Sequence, residues 1–224
     1  MATSGTAVWN LDILDLIEEA YERAGGSART GNDFRTARRS LNILSAEWSN
    51  RGLNLWTVES LTIALLAGTA SYSLPADTID IIDAMVRVNS QGSNLDYTIE
   101  RIGVGDYASI PNKATTGRPI QVYVQRTNVP TLTVWPVPDV PYTFLYWRLR
   151  RIQDATTGTD TMDIPVRFLP AMVAGLAFYL GQKRPEAAQI LPGLQMEYER
   201  QFALAAGEDQ GRESSSFIPW VGLL

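Results

Sequence analysis

Residues 164–183, IPVRFLPAMVAGLAFYLGQK, decide how the rest of the chain is read. Large apolar side chains fall at Phe168, Leu169, Met172, Val173, Leu176, Tyr179 and Leu180. Steps of three and four are the helical period, so the stretch predicts a helix with one broad apolar stripe. Ala171, Ala174, Gly175 and Ala177 lie between them and would let neighbouring helices approach closely. Asp163 is placed to act as N-cap, and Pro165 suits a first turn, where a missing N–H costs little. Pro170 lies further in and is expected to kink the helix or to mark where its regular part begins. The uncharged run from Phe168 to Gly181 has 14 residues, against about 20 needed to cross a bilayer. The stretch is therefore read as a buried core helix on which the other helices pack.

The composition sets the bounds. The chain has 224 residues, of which 45% are hydrophobic. A chain of this size hides roughly 70% of its extended surface on folding, enough for a real core. One domain with an insertion and two small domains both fit the length. The formal net charge is −5, which argues against bulk affinity for nucleic acid phosphates, since that needs a basic face. The opening MATSGTAVWNLDILDLIEE has neither the basic leader nor the apolar run of a signal peptide. The sequence contains no His and no Cys. Ser-His-Asp and Cys-His catalysis, thiol redox chemistry and zinc sites with imidazole or thiolate ligands are all excluded. Carboxylate, Lys or Tyr chemistry and hard-metal binding by oxygen remain.

Working outward, residues 8–23 read as an amphipathic helix with Leu11, Leu14, Ile17, Ala20 and Tyr21 inward, capped by Asn10 or Asp12 and ended by Gly25-Gly26. A second helix starts at Asn32 or Asp33 and runs to about Asn50, with Gly52 closing it. Phe34, Ala37, Leu41, Leu44, Ala46 and Trp48 are its apolar residues, and Arg35, Arg38 and Arg39 form a basic side. From Trp56 the period changes. Strands are expected at 58–64, 71–74, 79–88, 97–102, 120–125, 132–135 and 142–150, where β-branched and aromatic residues are bounded by turn residues. Residues 142–150 alternate best, with Tyr142, Phe144, Tyr146 and Arg148 on one face. Residues 103–110 are expected to form one short helix stopped by Pro111. After the flexible stretch 155–161 and the core helix, residues 185–207 predict a last helix interrupted by Pro192. Its burial candidates are Ala188, Leu191, Leu194, Met196, Tyr198, Phe202 and Leu204.

The expected fold is α+β: a four-helix α domain (8–55 and 162–207) with an antiparallel β domain (56–155) inserted between its second and third helices. Residues 208–224 form an extended C-terminal tail. Its stretch 208–216 is polar, and its end carries Phe217, Ile218, Trp220, Leu223 and Leu224, an apolar terminus that an isolated subunit has no reason to display. These five residues, with Arg35, Arg38 and Arg39, are the candidate partner-binding residues.

No catalytic, cofactor or metal residues are assigned. The carboxylates of Glu18/Glu19, Asp77/Asp80/Asp83 and Asp160/Asp163 read as caps, turns and wet faces. Residues 154–163 hold several carboxylates but lack the Gly and Glu positions of a calcium loop. Neither GxGxxG nor GxxxxGK[ST] occurs. Trp56, Trp135, Tyr146 and Trp147 are either core or interface residues or a sugar-stacking platform.

Five segments together resemble a known family: SLNILSAEWSNRGLNLWTVE (40–59), YSLPADTIDIIDAMVR (72–87), DYASIPNKATTGRPIQVYVQR (106–126), WPVPDVPYTFLYWRLRRIQDA (135–155) and PVRFLPAMVAGLAFYLGQK (165–183). Over residues 8–205 the chain resembles the head-to-tail adaptors of tailed bacteriophages, of the tail accessory factor or tail tubular protein A type of short-tailed phages. The resemblance implies a structural, non-enzymatic virion protein made in the host cytoplasm. It implies a ring, commonly of twelve copies, below the portal protein, which extends the DNA channel and carries a downstream nozzle or fibre protein. It implies passing DNA without sequence readout, no membrane and no cofactor. It also implies a C-terminal extension, here 217–224, that reaches the portal. A carbohydrate-binding or carbohydrate-cleaving tail module is the alternative function.

Overall fold

The computed structural model of the protein describes residues 5–6, 8–28, 30–52, 55–90 and 93–208. The fold is α+β, and the chain divides into two compact units, Met1–Leu55 with Asp154–Leu224, and Trp56–Gln153.

The helical unit holds α1 (Ile13–Arg23), α2 (Gly31–Arg51), α4 (Leu169–Gly181) and α5 (Leu191–Glu208). Helix α1 starts five residues later than the periodicity predicts. Asp12 is its N-cap and accepts from the Asp15 N–H at 2.8 Å, while Asp12 itself is held extended by a β-bridge to Thr161. The inward residues are accordingly Ile13, Leu16, Ile17, Ala20 and Tyr21, and Leu11 and Leu14 are only half-buried. Helix α2 opens with a reciprocal Thr30–Asp33 capping box and closes on Gly52, whose φ of 88° is left-handed.

Helix α4 differs from the expected single stripe. Leu169 and every residue from Ala171 to Ala177 are buried, because α1, α2 and α5 all pack on it. Neither Asp163 nor Pro165 starts this helix. A 3-10 turn, Val166–Phe168, comes first, and Pro170 lies in the first turn of α4. Proline is tolerated there because its ring needs no N–H partner and meets no preceding turn. Pro192 likewise sits in the first turn of α5 and begins that helix where an interruption was expected. Residues 185–187 form a separate 3-10 turn. Ala188, Met196 and Leu204 are exposed, whereas Tyr198 is buried and Phe202 half-buried.

Two features lock α2, α4 and α5. A Cβ on Gly175 would lie 2.8 Å from Tyr198 Cε2 and 2.9 Å from Leu44 Cδ2, so the backbone approach there depends on glycine. Around it runs a polar network. Trp48 Nε1 donates to the Tyr198 hydroxyl at 3.2 Å, and Tyr198 and Tyr179 donate to the two Glu47 oxygens at 3.1 and 2.7 Å. Burial first, and Glu47 second, push the Tyr179 hydroxyl up to about 12. Arg51 closes the network against Glu47 at 3.0 Å and Glu199 at 2.8 Å.

The second unit packs two four-stranded sheets. One runs β1 (Val58–Leu65), β8 (Tyr142–Arg150), β3 (Thr78–Ser90), β4 (Ser93–Thr98), all antiparallel. The other runs β2 (Ser71–Ser73), β7 (Thr131–Trp135), β6 (Gln121–Gln125), β5 (Glu100–Ile102). The expected strand 97–102 is in fact β4 and β5, in different sheets, parted at the buried Ile99, whose N–H donates to the Ala84 carbonyl at 3.3 Å. The unit is not wholly antiparallel, since β5 and β6 are parallel. The crossover between them, which includes α3 (Val104–Ser109), is long enough to return the chain in the same direction. Val86, Val122, Leu132, Val134, Phe144 and Tyr146 lie at the core between the sheets.

Arg148 shares that inward face of β8 and is only 5% exposed. It donates from Nε to Glu59 at 2.7 Å, and from Nη1 to Asp77 at 2.6 Å and Thr78 Oγ1 at 2.7 Å. A buried charge is tolerable only when its donors are satisfied in this way. The hydrogen bonds from Arg148 hold the Asp77 carboxyl below its usual 3.8.

Three predictions follow from this packing. Leu176 is fully buried, so Leu176→Ala should lower stability by about 2–5 kcal/mol in denaturant titration; an unchanged midpoint would contradict its place in the core. Gly175→Ala should also destabilise, by about 1–3 kcal/mol from overpacking, although alanine is the better helix former by about 1 kcal/mol; a raised thermal midpoint would show that Leu44 and Tyr198 can yield. Because the folded-state pKa of Asp77 is depressed, its contribution is complete above the unfolded value near about pH 4 and is lost as pH falls through the folded value. Melting curves taken across that range should decline less steeply for Asp77→Asn than for the natural sequence, and superimposable profiles would disprove the assignment.

Candidate interaction surface

Helix α2 turns Ala37, Leu41, Leu44 and Trp48 inward. The residues three and four positions apart on its other side therefore share an outward face. Arg35, Arg38 and Arg39 all lie there and are exposed, as their spacing predicts. With Asn42, Ile43 and Ala46 they bound a shallow groove of about 520 Å³.

The arginines are not equivalent. Arg38 Nη1 donates to the Thr156 carbonyl, and Asn42 Oδ1 accepts from the Ala155 N–H at 2.8 Å, so both residues are partly spent holding the segment after the β unit. Arg35 and Arg39 form no ion pair among the described residues. Lys183 extends the positive surface. It donates to the Ser40 hydroxyl, and desolvation followed by repulsion from Arg39 holds its ammonium below the usual lysine range. Forked guanidinium donors at such a surface suit carboxylates or phosphates. Ile43, 52% exposed between them, adds an apolar contact of the kind found at protein interfaces.

The five tail residues Phe217, Ile218, Trp220, Leu223 and Leu224 lie outside the described residues. Asn42, Ile43 and Lys183 were not singled out from the sequence. The available signal was Ile43, four residues after Arg39 on an otherwise polar face.

The other candidates do not assemble a site. Asp80 pairs with Arg101 at 2.7 Å, and Asp160 accepts from Thr156 Oγ1 at 2.7 Å and the Thr157 N–H at 3.1 Å. Among the described residues no cluster of three carboxylates is placed to hold a metal ion. Nor do three of the four aromatics share a face. Tyr146 is buried between the sheets, Trp147 points to the opposite face of β8, and Trp135 belongs to the other sheet, its Nε1 donating to the Asn112 carbonyl at 3.1 Å.

A comparison with the curated proteins finds no match. A family model described as SU10 adaptor protein matches residues 7–219, a span that takes in both units and reaches into the C-terminal tail. The chain therefore belongs to the SU10 adaptor protein family of phage structural adaptors.

Proposed function

We propose that this chain is a ring subunit at the head-to-tail junction of a phage, joining the portal to the tail and extending the DNA channel. Twelve copies and the short-tailed adaptor type are part of this reading. The observation that carries it is the adaptor-family match over residues 7–219.

The physical character of the chain supports it. A conduit must not grip the DNA that passes through it, and a net charge of −5 provides no bulk attraction to phosphates. Ring subunits make heterologous contacts that close under cyclic symmetry, and the groove on α2 offers arginines and an exposed isoleucine for one such contact. In this reading the helical segments 8–55 and 162–207 form the ring body. Residues 56–155 are an inserted domain, and the lower face carries a nozzle or fibre protein. In this reading the subunit has no enzymatic role, and the chain lacks the His and Cys that triad and thiol catalysis would need. No helix among the described residues is long and apolar enough to cross a membrane.

The apolar terminus is the proposed anchor, docking on a neighbouring subunit or on the portal. Pro219 limits the conformations lost on docking, and Trp220 is the residue type that dominates interface energies. Deleting residues 208–224 should leave the subunit folded by circular dichroism and block its attachment to portal-bearing heads. Trp220→Ala alone should weaken attachment by about 2 kcal/mol or more. A truncated chain that still binds portal rings with normal affinity would remove the anchor from this reading. Images of the natural chain on heads that show no ring would remove the adaptor role itself.

A further inference from the structure

The α2 arginine face has a counterpart in the same unit. Helix α1 and the start of α4 bound a second groove of about 530 Å³. Its accessible apolar lining comes from Leu11, Val166 and Pro170, with Trp9, 66% exposed, beside them, and the buried Leu169 and Val173 lie beneath. Its wall is Asp15, Glu18, Glu19 and Glu22, all on α1. Glu19 is neutralised by Arg23 at 2.8 Å. Asp15, Glu18 and Glu22 have no ion pair among the described residues.

We propose that these two surfaces are partners: the α2 arginine face of one copy seats in the acidic groove of α1 and α4 on the next copy around the ring. The proposal rests on the ring reading above and names the contact that builds it. Each surface carries charges that form no ion pair among the described residues, and the two have opposite sign. Each also offers exposed apolar residues beside its charges, Ile43 and Ala46 on one side, Val166 and Pro170 on the other. Apolar residues beside polar ones are usual at a protein interface, and complementary charge fixes its register. The pairing also selects the symmetry. A two-fold contact through either face alone would oppose like charges. Joining different faces is heterologous and propagates until a ring closes. The occupant is thus a second copy of this chain; a nucleic acid phosphate would satisfy the arginines and leave the acidic groove empty.

Charge reversal tests the pairing. Two full-length variants are needed, Arg35→Glu/Arg39→Glu and Glu18→Arg/Glu22→Arg. All four positions are exposed, so both variants should fold, which circular dichroism checks. Assembly is followed by native mass spectrometry over a concentration series, alone and on portal rings. Each variant by itself presents two surfaces of the same sign. Its half-assembly concentration should rise by more than about tenfold over that of the natural chain, since like charges facing across an interface cost several kcal/mol. An equimolar mixture should regain assembly, with the two variants alternating in equal numbers, because each then meets the opposite sign on both sides. Assembly of either variant alone at the natural concentration would overturn the proposal, as would a mixture of two folded variants that stays unassembled. Loss of DNA retention by the Arg35→Glu/Arg39→Glu variant, with ring formation intact, would assign the arginines to phosphate and overturn it as well. In those three cases the natural chain still forms rings and the adaptor reading stands. A natural chain that forms no ring at any concentration or on the portal overturns both.

Discussion

The close approach of α2 and α5 to α4 at Gly175 is the constraint on which the helical unit depends. A Cβ on Gly175 would collide with Leu44 and Tyr198, and α1, α2 and α5 all pack on α4. Almost every residue of its central two turns is buried, including the small ones. This packing fixes the rotation of α2 about its own axis. Leu41, Leu44 and Trp48 must face α4, so Arg35, Arg39 and Ile43 must face away. The outward surface is thus a consequence of the inward one. The Glu47 network acts in the same direction. Tyr179 and Tyr198 bury polar groups that need partners, and Glu47 and Arg51 supply them only in one register of the three helices.

The β unit uses a different device. Its core is apolar and β-branched, but one face of β8 ends in a guanidinium. Arg148 joins β1, through Glu59, to the start of β3, through Asp77 and Thr78. A misregistered sheet would leave this charge buried without partners, which costs far more than the paired state contributes. The arrangement favours specificity of strand order more than raw stability.

The absence of His and Cys and the distribution of charge agree with membership of a structural family. The polar side chains that are buried serve packing: Arg148 in the sheets, Ser45 bonded to the Leu41 carbonyl at 3.1 Å, Tyr198 in the helices. Arg35 and Arg39 on α2 and Glu18 and Glu22 on α1 are exposed on helix surfaces and form no ion pair among the described residues.

The sequence by itself determined whatever depends on neighbours a few residues apart. The α+β order of elements, the Gly52 cap, the alternation of β8 that puts Phe144, Tyr146 and Arg148 on one face, and the outward arginines of α2 all follow from local period and turn chemistry. Tertiary structure alone decided the rest. Whether 97–102 is one strand or two depends on Ile99 finding the core between sheets and on Glu100 donating to the Ile120 carbonyl, partners that no local pattern specifies. The start of α1 at Ile13 depends on the bridge between Asp12 and Thr161. The prolines could be read as breaks or as first turns, and only the packing of α4 and α5 chose the first turn. The groove on α1 was hidden for the same reason. Its carboxylates read as a solvated face, and only the arrival of Val166 and Pro170 from far along the chain sets accessible apolar residues beside that face.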